Sequence, residues 1–359
     1  MDRSRRPAAL AFVLALGSLA ASDAPPLAEM RWLAPGAGAV EMLSLQPSEC
    51  LSGGPGGPGL WDEIVSVEIG RAAFRSPLTL GGQAARAGVS CETCHRNGRT
   101  NTLFQFPGVS GAPGTADVTS SLFSSHRGNG VADPKPIPDL GARRSTMKIS
   151  RDAASPALAD FIHGLVTEEF DGPEPTAAVL AGLANYVRTI DASACDAAPS
   201  PLTAYSYFFD AYRAVVAAKL TLARQDPPTA IAMLEAARTR LGRLDERYAG
   251  LPRSQAALRQ SSAQLVAIEG LIRDHDPASI ARLDAWFAAT NGLWRTLKRE
   301  EARSLFNPER LATSARLPRE GRGVYCAPSC AGGFDQPLTG GAGEVAEWSM
   351  AHAWKACVG

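Results

Sequence analysis

An all-α protein in two helical parts is what the sequence predicts, and three observations carry the prediction. Apolar residues recur at helical spacing through four alanine-rich segments between Pro201 and Phe306. Shorter segments with the same period begin at Leu60, Pro156 and Thr176. The stretches between them are rich in Gly, Ser, Thr, Asn and Pro with little periodicity, which reads as loop. At about 150 residues per domain, 359 residues suffice for two domains, and 45% hydrophobic residues can build ordinary cores.

Taken in order, Met1 to Arg6 is basic, and Ala8 to Ala21 is an apolar run too short to span a bilayer comfortably. Its length suits the hydrophobic region of a secretory signal, and Ala20, Ala21 and Ser22 offer small residues for cleavage before Asp23. Residues 1–22 are therefore expected to be a signal peptide and the mature chain to be periplasmic or secreted. No later run approaches the ~20 apolar residues of a spanning helix, so no transmembrane anchor is expected after cleavage. No cysteine closes the hydrophobic region, which argues against a lipid anchor. Residues 23–59 lack periodicity and end in Gly53-Gly54-Pro55-Gly56-Gly57-Pro58-Gly59, the composition of a flexible lead-in.

Helical spacing starts with Leu60, Trp61, Ile64 and Val65 on one side and Asp62 and Glu63 on the other. The chain then reaches Cys91-Glu92-Thr93-Cys94-His95. C-x-x-C-H is the attachment sequence for c-type haem: each thiol can add to a vinyl group, and the adjacent imidazole can bind the iron from below the ring. A zinc site would want a second Cys/His pair at ligand spacing. The other close pair, Cys326 and Cys330, has three intervening residues and Ala331 where a histidine would be needed. One covalent haem c is expected, held by Cys91, Cys94 and His95. Its attachment follows export, so the motif and the signal predict the same compartment.

Residues 96–138 read as loop, followed by helices from Pro156 to Phe170 and from Thr176 to Ile190. The second carries Val179, Leu180, Leu183, Tyr186, Val187 and Ile190 at helical spacing. Beyond Pro201 the first long helix runs from about Thr203 to Gln225, with Tyr205, Phe208, Tyr212, Val215, Val216 and Leu220 on one face. Asp226-Pro227 opens the second, Ser254 caps the third, and Asp276-Pro277 opens the fourth. Short connections predict an antiparallel four-helix bundle over 196–306. Residues 307–359 form a Gly-rich tail with Cys326, Cys330 and Cys357, which together with Cys50 and Cys195 are expected mostly as disulfides in an oxidising compartment.

Lys plus Arg equals Asp plus Glu, 36 against 36, so no global field points to nucleic acid or an anionic membrane. Lysine occurs only at 135, 148, 219, 298 and 355, and the arginine excess reads as composition bias. There is no nucleotide-binding P-loop, H-E-x-x-H, EF-hand loop or G-x-S-x-G.

Four segments carry a family resemblance: Gly70 to Pro77, Val89 to His95, Pro136-Ile137-Pro138-Asp139-Leu140, and Leu183 to Ile190. Over residues 60–195 the chain resembles one haem domain of the bacterial dihaem cytochrome c peroxidase and MauG superfamily. The resemblance implies a class I-like cytochrome c domain, with the Pro136–Leu140 segment placed before the distal side. Members with known activity carry two haems, one peroxidatic and one for electron transfer, whereas this chain has one C-x-x-C-H. In small cytochromes c a methionine closes the distal side, and Met147 lies 52 residues after His95. A thioether there raises the reduction potential. His126 in a Gly-rich loop, His163 at the edge of a helical stripe, and an open site are the alternatives.

The expected function is that of an exported monohaem c-type cytochrome, passing single electrons to or from a partner protein that the helical bundle docks. No catalytic residue is assigned on this reading. The alternative is a cytochrome c peroxidase-like enzyme with an open or switchable haem site, assisted by His126 or Arg127. A third reading makes haem structural and gives function to the bundle.

Overall fold

The computed structural model describes residues 27–34, 38–52, 60–120, 122–129, 131–142, 149–195 and 198–315. Within them the fold is mostly helical, as the periodicity predicts. The stretch read as an irregular lead-in holds helix α1 (Gly38–Ser44) and strand β1 (Leu45–Gln46). Its order comes from distant partners. β1 pairs antiparallel with Ser200–Pro201, and Cys50 is disulfide-bonded to Cys195.

Helix α2 (Leu60–Phe74) leads through the short helices α3 (Pro77–Leu80) and α4 (Gly82–Ala87) into α5 (Cys91–Cys94), the single turn that carries the motif. Residues beyond it are loop, tied by two-residue ladders: β2 (His95–Arg96) with β3 (Arg99–Thr100), and β4 (Thr115–Ala116) with β5 (Lys135–Pro136). Asn97 and Gly98, at φ 48° and 80°, form the two-residue turn between β2 and β3. Both positive angles are what a tight hairpin turn demands, and Asn-Gly is the dipeptide that supplies them most readily.

Helix α6 (Ala157–Gly164) widens into a π-turn (Leu165–Glu169), and α7 (Ala177–Thr189) follows. Thr176 caps α7 by accepting the Val179 N–H at 3.2 Å. α2 and α7 cross with their backbones in contact. A Cβ built on Gly70 would lie 1.9 Å from the Gly182 carbonyl oxygen, so no side chain fits there.

Four long helices follow: α8 (Ala204–Ala223), α9 (Pro227–Arg247), α10 (Pro252–Arg273) and α11 (Ala278–Glu300). Each packs on the next and α11 returns to α8, with α12 (Pro308–Ala315) lying against α1. Asp226 caps α9 as expected, its carboxylate accepting the Thr229 N–H at 3.1 Å. Ser254 is not the cap of α10: that helix starts at Pro252, and the buried Ser254 hydroxyl donates to Glu300 at 2.6 Å. The buried face of α8 also differs from the expected aromatic one. Tyr207, Ala211, Ala214, Val215 and Ala218 face inward, whereas Tyr205 is 51% exposed. Small residues let α8 approach α9 closely, leaving Tyr205 and Phe208 at the edge against Trp294 of α11.

One apolar core runs across the sequence boundary expected at residue 195, because α2 packs on α8 and α9 as well as on α7. Val65 and Phe74 of α2, Leu183 and Tyr186 of α7, and Leu234 and Leu283 of the long helices belong to the same buried cluster. A second cluster, containing Leu80, Val89, Val109, Phe123 and Phe170, packs beside the motif. Cys91 and Ile162 touch both.

Candidate functional site

Cys91 and Cys94 lie three residues apart on α5, a spacing that puts both side chains on one face of a helical turn. The turn is fixed from both ends. The Ser90 N–H donates to Thr93 Oγ1 at 3.0 Å, while Asn101 donates its backbone N–H to the Cys94 carbonyl and its side-chain amide to the Thr93 carbonyl, both at 2.9 Å. Both cysteines are free thiols, and burial pushes each up to about 12. They are therefore neutral near pH 7.

His95 follows at the end of the turn, with its Nδ1 3.0 Å from the Pro138 carbonyl oxygen. A carbonyl only accepts, so Nδ1 carries the proton and Nε2 is left with its lone pair. Nε2 has no hydrogen bond or ion pair among the described residues. Burial lowers the imidazole to about 4, against the smaller opposing effects of the Pro138 bond and the Asp139 charge, so the ring is neutral. This is the preparation a metal-binding histidine requires, one nitrogen oriented by a backbone acceptor and the other free.

Residues 136–140 are themselves clamped. The Ile137 N–H donates to the Gly114 carbonyl, Thr100 Oγ1 to the Ile137 carbonyl, and the Leu140 N–H to the Gly98 carbonyl, at 3.0, 3.0 and 2.9 Å. Arg99 pairs with Asp139 at 2.8 Å. The segment placed by resemblance before the distal side thus supplies the acceptor behind His95. Cys91, Cys94 and His95 are each half-buried. Phe74 lies across from the imidazole, with ring centroids 6.4 Å apart. Two thiols on one face, a neutral imidazole with a free nitrogen, and an apolar cluster alongside form a donor set that fits a covalently attached haem.

Met147 lies outside the described residues, as do the expected signal peptide and Cys326, Cys330 and Cys357. The alternative sixth ligands have carboxylate partners at the surface. His126 Nδ1 is 3.0 Å from Asp171, and His163 Nε2 is 2.9 Å from Glu174. Arg127 pairs with Glu168 at 3.1 Å. Among the described residues no group of three or more His, Cys, Asp or Glu is placed to hold a metal ion, and no helix is long and apolar enough to cross a membrane.

Behind α5 lies a buried charged seam that pattern reasoning missed. Glu49 receives Arg71 and Arg75 at 2.8 Å each and the Tyr186 hydroxyl at 2.7 Å. Arg71 also reaches Asp210 at 2.6 Å, and Arg240 approaches the other Asp210 oxygen at 3.3 Å. Burial alone would raise Glu49, but Arg75 and Arg71 outweigh it and hold the carboxyl well below its usual range. Arg75 donates to the Asn97 side chain at 2.7 Å, and both Glu92 oxygens accept the Asn97 N–H. The seam thus joins the segment before α2, the motif turn and the long helices. Several arginines read as composition bias sit in this buried structure, and the only sequence signal for them was their position inside apolar helical faces.

Searches of protein-family models, of curated proteins and of solved structures return no match for this chain.

Proposed function

We propose that the chain is an exported monohaem c-type cytochrome, carrying one haem on Cys91 and Cys94 with His95 as the proximal ligand, and that it transfers single electrons to or from a partner protein. The observation that carries this reading is the His95 hydrogen bond to Pro138, which leaves Nε2 unprotonated and, among the described residues, without a partner beside two free thiols. Haem bound here would supply an iron centre that cycles between Fe(III) and Fe(II). Cys91 and Cys94 tether it. His95 orients through Pro138, and the clamped 136–140 segment keeps that orientation fixed. The finer architecture belongs to the same proposal: a class I-like cytochrome c domain over 60–195, resembling one half of the dihaem peroxidase and MauG superfamily, followed by an antiparallel bundle that docks the redox partner. Met147 as sixth ligand is part of it.

An absorption spectrum of the full chain, taken oxidised and reduced and paired with a potentiometric titration, tests the reading. A low-spin six-coordinate haem in both states is expected, with loss of the sixth ligand and a lower potential in Met147→Ala. A high-spin ferric species in the wild-type protein would instead support the peroxidase-like alternative.

A further inference from the structure

A cavity of about 90 Å³ lies on the far side of α5 from the thiols, between the motif turn, the α1 region and helices α8 and α9. Neither cysteine of the motif lines it, and neither does His95. Ser90, Glu92 and Thr93 form one wall, and Ser206 and Asp210 another. Four arginines reach it, Arg75, Arg96, Arg240 and Arg243, against three acids.

The acids are largely spent elsewhere. Glu29 is paired with Arg247 at 2.7 Å, and Glu92 accepts the Asn97 N–H with both oxygens. One Asp210 oxygen is taken by Arg71. The other is stretched between Arg75 at 3.5 Å and Arg240 at 3.3 Å, both longer than a charge-assisted hydrogen bond. Arg96, by contrast, is satisfied by the Met42 and Leu45 carbonyls at 2.7 and 3.0 Å.

Arg240 and Arg243 are therefore left with donors to spare, and Arg75, whose terminal Nη2 is held by Glu49 and Asn97, contributes its Nε. The Arg75 and Arg240 side chains are 3% and 9% exposed, and the Nε of each is buried with no hydrogen-bond partner among the described residues. Among the described residues Arg243 makes polar contacts of 3.4 Å or more only, to Glu246 and the Gly88 carbonyl. Buried donors of this kind are ordinarily satisfied. Guanidinium forks match planar or tetrahedral oxyanions, and the cavity has room for one such ion or a few waters.

We propose that this cavity is a binding site for a small oxyanion, carboxylate or phosphate, held by Arg75, Arg240 and Arg243. The site does not depend on haem at Cys91 and Cys94. An occupant would tie the motif turn to α8 and α9 through α9's two arginines.

Calorimetric titration of the full chain with inorganic phosphate and with acetate, in Tris-chloride buffer of low ionic strength, tests the proposal without reference to the iron. Saturable one-to-one binding of at least one anion is expected, weakened about tenfold or more in Arg240→Gln and in Arg243→Gln. Arg243 has only long contacts to lose, so its variant decides the matter if Arg240→Gln does not fold. The proposal is overturned by the absence of saturable binding of either anion to the wild-type chain. Wild-type affinity in either folded variant would overturn it as well, since the heat would then come from adventitious surface sites.

Discussion

Between α8 and α11 the chain is held by apolar stripes, in which Leu234, Leu241, Leu258, Leu265 and Leu283 are each at most 1% exposed. Around the motif a second device is added to the apolar cluster of Val89, Val109 and Phe123: side chains that satisfy particular backbone groups, Asn101 on Thr93, Thr100 on Ile137 and Asp139 on Gly141. The first arrangement tolerates volume-conserving change, because burial is non-directional. The second fixes individual atoms, and it is the one that places the His95 ring. The two meet along α2, through the tight crossing with α7 and through the charged seam.

The largest break in this arrangement is expected at the seam. Glu49→Gln leaves the buried Arg71 and Arg75 with Asp210 as their shared counter-charge, at 2.6 and 3.5 Å, and should cost about 3 kcal/mol in chemical denaturation. The pH dependence has a definite sign. The folded Glu49 carboxyl lies below its unfolded value, so its stabilisation is complete above the ordinary carboxylate range near ~4.3 and is lost as pH falls through the folded value. The variant should lack that acid-side loss. Equal stability and an unchanged pH profile would remove the seam as a joint between the two regions.

Gly70→Ala should cost about 3 kcal/mol by thermal unfolding, because the added methyl meets the Gly182 carbonyl and the two helices must separate. Asn101→Ala is expected to be milder, about 2 kcal/mol, since its buried amide serves the Thr93 carbonyl and the Leu103 N–H. Hydrogen exchange sharpens the comparison. Protection should fall around 91–104 in that variant while α8, α9 and α10 keep theirs. Equal loss in both would mean that the regions open as one unit, as the apolar core shared across residue 195 allows.

The two regions also differ in how far the sequence exposes them. The four long helices were legible because apolar periodicity and the Asp226-Pro227 cap are local signals. The face of α8 was misjudged because aromatic residues outweighed alanines in the stripe, whereas close helix approach buries the alanines. Around the motif, residue types were legible and their supports were not. The Asn97-Gly98 turn was signalled by its dipeptide, but it lay inside a stretch too poor in period to read. The role of Pro138 depends on a carbonyl 43 residues from His95. The seam joins residues as far apart as Glu49 and Asp210, and no pattern within a window connects them.

The central claim is a haem bound covalently through Cys91 and Cys94. Its most direct test is the intact mass of the full chain, exported and denatured, with haem absorbance followed through denaturing electrophoresis. One haem per chain is predicted, retained under denaturation in the wild-type protein and absent from the Cys91→Ala, Cys94→Ala double variant. Wild-type chains without covalent haem, or haem retained by the double variant, would contradict the account.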